Sequence, residues 1–430
     1  MNLPTKMRVE KAEKILDIAI CYSRLPFPMM RGDQLTVAHL ISFLSARGHR
    51  VFLYTVDCDG KMERDQEEWL MDACEEVHLF KVPKFTRMKN AFFGLFRGCP
   101  LQVSMFHNAD LNRMVKKSAV SGKFDILYCY YLRSAPAASE IFSPNKTTKF
   151  SGRRTAAFLA MQLSQTLNTR RIFENSENIF KKAIYFLEWQ LLRRYETKIG
   201  NLFSKVVLIG PKDVEAIQLT CKELGRPEIY NWIYGAHGTD VHGFRVADDA
   251  EVVANRIVFS GSMLYQPNVQ AVLWFMKHCW GDIQVAVPGV ELIIVGRDPV
   301  PEIKSLGSLP QVEVTGTVPD VGTYIRSASI CINPMLAAGG MQNKLIEYMA
   351  CGKAVVATSV ANEGINALDC DSIFIANSAD EFVKNVVLLL NDKALVRKCG
   401  EAAREFVLEN WTWESHFRKL EQEYYKALEN

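Results

Sequence analysis

Residues Ala337 to Thr358 read AAGGMQNKLIEYMACGKAVVAT. The paired Gly339 and Gly340 precede an amphipathic helical pattern that carries Lys344 and Glu347 on one face. The pattern stops at Gly352, before a β-branched run. A helix start offers unpaired N–H groups and the positive end of the macrodipole, and glycine lets an anion come close. Lys344, near the first turn, adds a point charge toward that anion. Glu347, one turn further on, can accept hydrogen bonds from paired hydroxyls such as a ribose diol. Gly340 to Glu347 is seven residues, roughly 10 Å of helix rise, which matches the reach of a nucleoside diphosphate from outer phosphate to ribose. The spacing suits a nucleotide sugar. The alternative is a plain Gly-Gly turn followed by a surface i,i+3 ion pair between Lys344 and Glu347.

Such a site needs a scaffold, and the chain alternates accordingly. ILDIAICYS, a Pro- and Gly-containing loop, the helical QLTVAHLISFLSARG and the run HRVFLYTV open a βαβ unit. VHLFKVP and FDILYCYYL continue the strands. Residues 179–199 predict a long helix with an apolar stripe at Phe180, Ile184, Leu187, Leu191 and Tyr195. KVVLIG reads as the last strand of this half. After GAHGTDVHGF a second alternation runs through RIVFSG, a helix from Asn268 to about Cys279, VELIIVGR, VEVTGTV, SICINP, the opening helix, KAVVAT and SIFIA. Two β/α series predict two facing Rossmann-like domains, with ligand in the cleft beyond the carboxyl ends of the strands. The expected division is 1–235 and 236–411, with the amphipathic helix within 412–430 packing back on the first domain.

The bulk composition removes other classes. The 430 residues, 48% hydrophobic and 23% charged, describe an ordinary globular chain, and a formal net charge of +3 gives nucleic-acid binding no global support. Eleven cysteines show no C-x-x-C pair or Cys/His metal spacing, and no metal site is expected. Cys21, Cys129 and Cys331 fall in apolar runs, as core residues do. The N-terminal MNLPTKMRVEKAEKILDIAICYS lacks a signal-peptide h-region, and no apolar run approaches transmembrane length. The expectation is a cytoplasmic protein, at most peripheral to a membrane.

NKLIEYMACGKAVVAT resembles the signature helix of the retaining GT-B glycosyltransferases of family four, usually E-x7-E-A-M-A-C-G-x-P-V-V. GAHGTDVHGF, RIVFSGSMLYQPN, LIIVGR and VTGTV resemble further elements of that family in order, and RLPFPMMRGDQLTVAHL resembles its acceptor-domain glycine loop. The whole pattern is most similar to sugar transferases of bacterial exopolysaccharide and exosortase-associated clusters. The resemblance implies a GT-B enzyme that moves a sugar from a nucleoside diphosphate donor, UDP-linked by expectation, to a glycan or lipid-linked acceptor. It implies retention, with the leaving β-phosphate taking the acceptor hydroxyl's proton, and no cofactor. The family's first motif glutamate falls on Gly339, and its diphosphate-binding Arg and Lys fall on Ser262 and near Pro267–Asn268. The implied phosphate ligands are therefore Lys344, the helix N-terminus, Ser262 and Asn268. Sugar contacts shift to the backbone around Gly340 and Met341, with Gln342 or Asn343. Thr317 and Val318 occupy the position where the family's backbone meets the base. The rival readings are a non-catalytic nucleotide-sugar-binding partner, favoured by Gly339, and a sugar-nucleotide epimerase of the same architecture.

Other candidates carry two readings each. Gly32 and Asp33 sit on the first strand-to-helix loop, either facing the cleft, with Gly32 a binding and Asp33 a catalytic residue, or as turn and N-cap. Arg297 contacts a nucleotide or caps a strand end. His39, His49, His237 and His242 read as structural or hinge residues. The stretch Lys81 to Gly98 mixes Phe85, Met88, Phe92, Phe93, Leu95 and Phe96 with Lys81, Lys84, Arg87, Lys89 and Arg97. It is either a contact with an anionic membrane through Lys81–Arg97 or a core helix with a basic edge.

Overall fold

The structure is a computed structural model. It describes every residue except 1–2, 5–8, 30, 58–61, 140, 143–147, 151, 175–177, 236–237, 337–340 and 430. The chain divides into two compact units, residues 1–237 with 416–430 and residues 238–415.

The strands of the first unit are β1 (Asp17–Tyr22), β2 (Arg50–Asp57), β3 (Glu76–Lys81), β4 (Ile126–Tyr130), β5 (Thr148–Phe150), β6 (Arg153–Gln162), β7 (Lys205–Leu208) and β8 (Trp232–Tyr234). They form one sheet in the order β3-β2-β1-β4-β6-β7-β8, parallel except for β5, which pairs antiparallel with β6. The central strands β1 and β4 are buried along their whole length, which is why they read as unbroken apolar runs. The helix Gly32–Arg47 joins β1 to β2 and ends at Gly48, whose left-handed φ of 93° lets its N–H reach the carbonyls of Leu44 and Ser45. Cys21 and Cys129 lie in this core.

The second unit holds β9 (Arg256–Ser260), β10 (Glu291–Val295), β11 (Val312–Gly316), β12 (Ile330–Asn333), β13 (Ala354–Ala357) and β14 (Phe374–Ile375). They are all parallel, in the order β11-β10-β9-β12-β13-β14. Both sheets therefore wind outward in both directions from one strand. The crevice lies beyond the carboxyl ends of β1 and β4 in the first unit, and of β9 and β12 in the second.

Several local expectations need correction. KVVLIG is not the last strand of its half, since β8 follows it. The helix after β9 runs from Gln266 to Phe275, starting early because Pro267 suits a first turn, and a π-helical turn carries on from Met276 to Trp280. The helix Ile179–Ile199 forms as expected, but its stripe is buried only toward the C-terminal end; Phe180, Ile184 and Leu187 are exposed. The helix Lys84–Phe96 is not a core helix, for Gly94 is its single buried residue. Among the described residues, no helix is long and apolar enough to cross a membrane.

Candidate functional site

The crevice of the second unit is an open cleft of about 510 Å³, large enough for a small-molecule ligand. Two strand-to-helix connections build it. After β9 the chain turns through Gly261 and Ser262 into the helix at Gln266; after β12 it returns at Met341 and Gln342 into the helix Asn343–Ala350. Glycines let the first connection pack against its neighbour. A Cβ at Gly296 would lie 1.7 Å from the Gly261 carbonyl oxygen, and one at Gly261 would lie 2.6 Å from Asn268 Nδ2 and 3.0 Å from Lys344 Nζ. The N–H of Gly261 accordingly donates to Val295 O, and that of Met263 to Arg297 O.

The opening helix is fixed from below by Tyr348, whose buried hydroxyl accepts the Ser260 N–H at 2.6 Å. That anchoring leaves Lys344 and Glu347 on the cleft side. Lys344 is buried, and its ammonium donates to Asn268 Oδ1 at 2.5 Å and lies 4.3 Å from the centre of the Phe259 ring. Asn268 is oriented for this by donating its own amide to Ser262 O at 2.9 Å. Among the described residues no carboxylate bonds the ammonium, so burial pulls Lys344 down to about 7, with the nearby charge of Glu347 opposing the shift. Glu347 is half-buried on the cleft, and burial pushes it up to about 6 against the pull of Lys344. Lys344 is buried and bonds Asn268 instead, so a surface ion pair with Glu347 does not form among the described residues.

Ten of the residues singled out from the sequence line this one cleft: Ser262, Asn268, Arg297, Thr317, Val318, Met341, Gln342, Asn343, Lys344 and Glu347. Gly339 and Gly340 lie outside the described residues, as does His237. The helix begins at Asn343, with Gln342 at its N-cap, rather than directly after the glycines. Lys344 is therefore in the first turn, and only part of the span from Gly340 to Glu347 is helical rise. Tyr265, Gly261 and Gly296 also line the cleft and were not singled out; glycine directly after two successive strands was the available signal.

Gly32 and Asp33 belong to the first unit, at the carboxyl end of β1. Asp33 does not cap its helix; Arg31 holds that position without a side-chain bond. The Asp33 carboxylate instead accepts the Tyr22 hydroxyl at 2.8 Å and Arg24 Nη1 at 3.3 Å. Burial and then Asp33 itself raise the Tyr22 hydroxyl far above its ordinary value, so Tyr22 stays a donor. His49 is structural, bonded to the Leu16 N–H and to Glu421, and His242 is exposed in the chain that enters the second unit. Among the described residues no His/Cys/Asp/Glu cluster could hold a metal ion.

Residues 254–392, which contain the cleft, match the family model described as glycosyl transferases group 1. Along most of its length the chain is 21% identical to an uncharacterised 44.6 kDa protein in the cps region of Klebsiella pneumoniae, covering 94% of this chain and 99% of that one. Among solved structures it is similar to sucrose-phosphate synthase from Thermosynechococcus elongatus, with TM-score 0.58, 16% identity and coverage of 96% and 99%. It is also similar to HepE from Anabaena in complex with UDP, with TM-score 0.55, 14% identity and coverage of 95% and 99%. These likenesses show the fold, GT-B, and the matched domain gives the enzyme class.

Proposed function

We propose that this chain, a glycosyltransferase with the GT-B fold, moves a sugar from a UDP-linked donor to a glycan or lipid-linked acceptor. The reading includes retention of configuration and a role in building cell-surface polysaccharide. One observation carries it: the cleft inside the matched domain holds a buried ammonium, Lys344, that no carboxylate bonds among the described residues, one turn from Glu347. A diphosphate supplies the missing charge, with Ser262 and the N–H groups at the helix start adding hydrogen bonds. The ribose diol gives Glu347 its donors, and the backbone at Thr317 and Val318 meets the uracil edge. The HepE complexes with UDP and with UDP-glucose support the donor class, and the relative from a cps region supports the pathway. In this reading the departing β-phosphate takes the acceptor hydroxyl's proton while Lys344 holds its growing charge, so positioning and electrostatics carry the rate without a cofactor.

Incubation with a panel of UDP-sugars without acceptor tests the proposal. Slow release of UDP and free sugar is the expected result. Isomerised donor without UDP release indicates an epimerase, and binding without any turnover a non-catalytic partner.

The reading also includes a peripheral position at the inner face of a membrane. The helix Lys84–Phe96 exposes Phe85, Met88, Phe92, Phe93 and Phe96 beside the exposed Lys84 and Lys89, and the stretch 81–98 carries no acidic residue. Each basic residue near an anionic surface contributes about 1 kcal/mol, screened by salt, whereas the aromatic contacts resist salt. In co-sedimentation with anionic liposomes, binding should weaken at high salt without vanishing, and a Lys84/Arg87/Lys89→Ser variant should lose the salt-sensitive part. Wild type that stays in the supernatant at low salt overturns the membrane contact.

A further inference from the structure

Lys344 is held at the cleft by neutral groups. Among the described residues its ammonium has one strong acceptor, Asn268 Oδ1 at 2.5 Å. Its other close neighbours are weak acceptors, the Met335 sulfur at 4.0 Å and the Phe259 ring, whose centre lies 4.3 Å away. Each of the three favours the charged form of the amine without cancelling its charge. A carboxylate in the place of Asn268 would hold the ammonium as well, but would remove the charge that an anionic ligand is to meet.

The Asn268 amide is fixed in turn. Asn268 is the third residue of the helix Gln266–Phe275 and is 5% exposed. Its Nδ2 donates to Ser262 O at 2.9 Å, which aims Oδ1 at Lys344. The flipped amide would set Nδ2 against the ammonium, donor against donor, and Oδ1 against a carbonyl oxygen. Gly261 packs against both groups from the preceding connection, for a Cβ there would lie 2.6 Å from Nδ2 and 3.0 Å from Nζ. Both ends of the amide therefore have protein partners. The family resemblance implies a phosphate ligand at Asn268, whereas its amide faces Lys344 and Ser262.

We propose that Asn268 is a positioning residue: it holds the Lys344 ammonium at the cleft with its charge uncancelled, and it acts on the diphosphate only through that lysine. The link to a diphosphate rests on the function proposed above; the hold on Lys344 rests on the geometry of the second unit. A residue that only packs the helix start would affect every ligand of the cleft alike. One that touched phosphate directly would act whether or not Lys344 were present.

Two measurements on the full chain test the proposal. Without nucleotide, the Cε carbon resonance of Lys344, assigned by its absence from Lys344→Met, is followed against pH. Asn268→Ala should lower its midpoint by about one pH unit, because the lost acceptor favours the charged form. Glu347 on the same helix and Arg297 on the cleft wall are the same in both proteins. An unchanged midpoint overturns the hold, whether or not UDP binds. Calorimetric titration with UDP and with uridine then compares wild type, Asn268→Ala, Lys344→Met and the double variant. Asn268→Ala should weaken UDP about three- to tenfold and uridine less than about twofold. In the Lys344→Met background the same substitution should change UDP by less than about twofold, since residues in contact couple. Equal losses in both backgrounds make Asn268 a direct ligand or a packing residue and overturn the proposal, as does an equal loss for UDP and uridine. Asn268→Asp decides where Asn268→Ala does not fold. Its carboxylate should raise the midpoint and weaken UDP, and a wild-type value in either measurement overturns the neutral hold. If Lys344→Met itself binds UDP as wild type does, the diphosphate reading of Lys344 fails, and the midpoint alone decides the hold.

Discussion

The amino and carboxyl ends of the two sheets treat charge differently. At the amino ends, Asp17 opens β1 and pairs with Arg50 of β2 and Arg153 of β6, while Asp125 takes the other side of Arg153. Arg256 opens β9 and pairs with Glu291 of β10 at 2.8 Å. Lys353, buried just before β13, donates to the carbonyls of Arg326 and Ala328 at 2.7 and 2.8 Å. At the carboxyl ends, Lys344 is just as buried but has one amide, one sulfur contact and a ring. Among the described residues, the Glu347 carboxylate accepts no hydrogen bond. Folding alone rewards closed networks, because an unsatisfied buried group costs free energy. An open one persists where a ligand completes it, and Lys344 lies on the side of the sheet where α/β ligands bind.

Breaking a closed network should therefore damage the fold and spare the ligand. Glu421 in the helix Trp413–Glu429 bonds both Arg47 and His49. Glu421→Ala should cost about 3–5 kcal/mol by denaturant unfolding at neutral pH. UDP affinity below the unfolding transition should stay unchanged. Burial alone would raise the Glu421 carboxyl, but His49 and Arg47 hold it below its ordinary value. The stabilisation is then present above the ordinary carboxylate value and lost as pH falls through the depressed one, so the deficit of the variant should close in acid.

Opening the carboxyl-end site further should do the reverse. Glu347→Ala should weaken UDP by about 1.5–3 kcal/mol in calorimetry, and Glu347→Gln by less, with unfolding barely changed. Lys344→Met should even stabilise the empty protein at neutral pH, by about 1–3 kcal/mol, because it removes a buried charge without a carboxylate. The sign follows from Lys344 sitting near 7 rather than 10.5. Between those values the unfolded chain holds more protons, so wild-type stability climbs as pH rises and the advantage of the variant shrinks. Thermal unfolding at several pH values checks both points.

Much of this contrast was readable in the chain. The alternation of apolar runs, glycine stops and amphipathic stretches gives two Rossmann-like units, and it brings Ser262, Asn268, Arg297, Thr317, Val318 and Lys344 to one crevice because each lies beyond the carboxyl end of a strand. What depends on neighbours distant in sequence was not readable. Hydrophobic spacing on 179–199 predicts a stripe but not that Phe180 and Ile184 stay exposed. Asp33 has the residue type and place of an N-cap, yet Tyr22 and Arg24 draw its carboxylate elsewhere. That the Lys344 ammonium meets the Phe259 ring and Asn268 rather than a carboxylate is likewise a property of the packed unit that no local pattern carries.

The central claim is that the open charge of Lys344 awaits a diphosphate, and comparing UDP with uridine on wild type and Lys344→Ala tests it most directly. A charge-assisted bond lost only with the phosphates should cost UDP about 1.5–3 kcal/mol and leave uridine nearly unaffected. The penalty should narrow as pH rises above about 7, where wild-type Lys344 must first take up a proton to bind. An equal loss for both ligands, or no loss for UDP with the fold intact, contradicts the account.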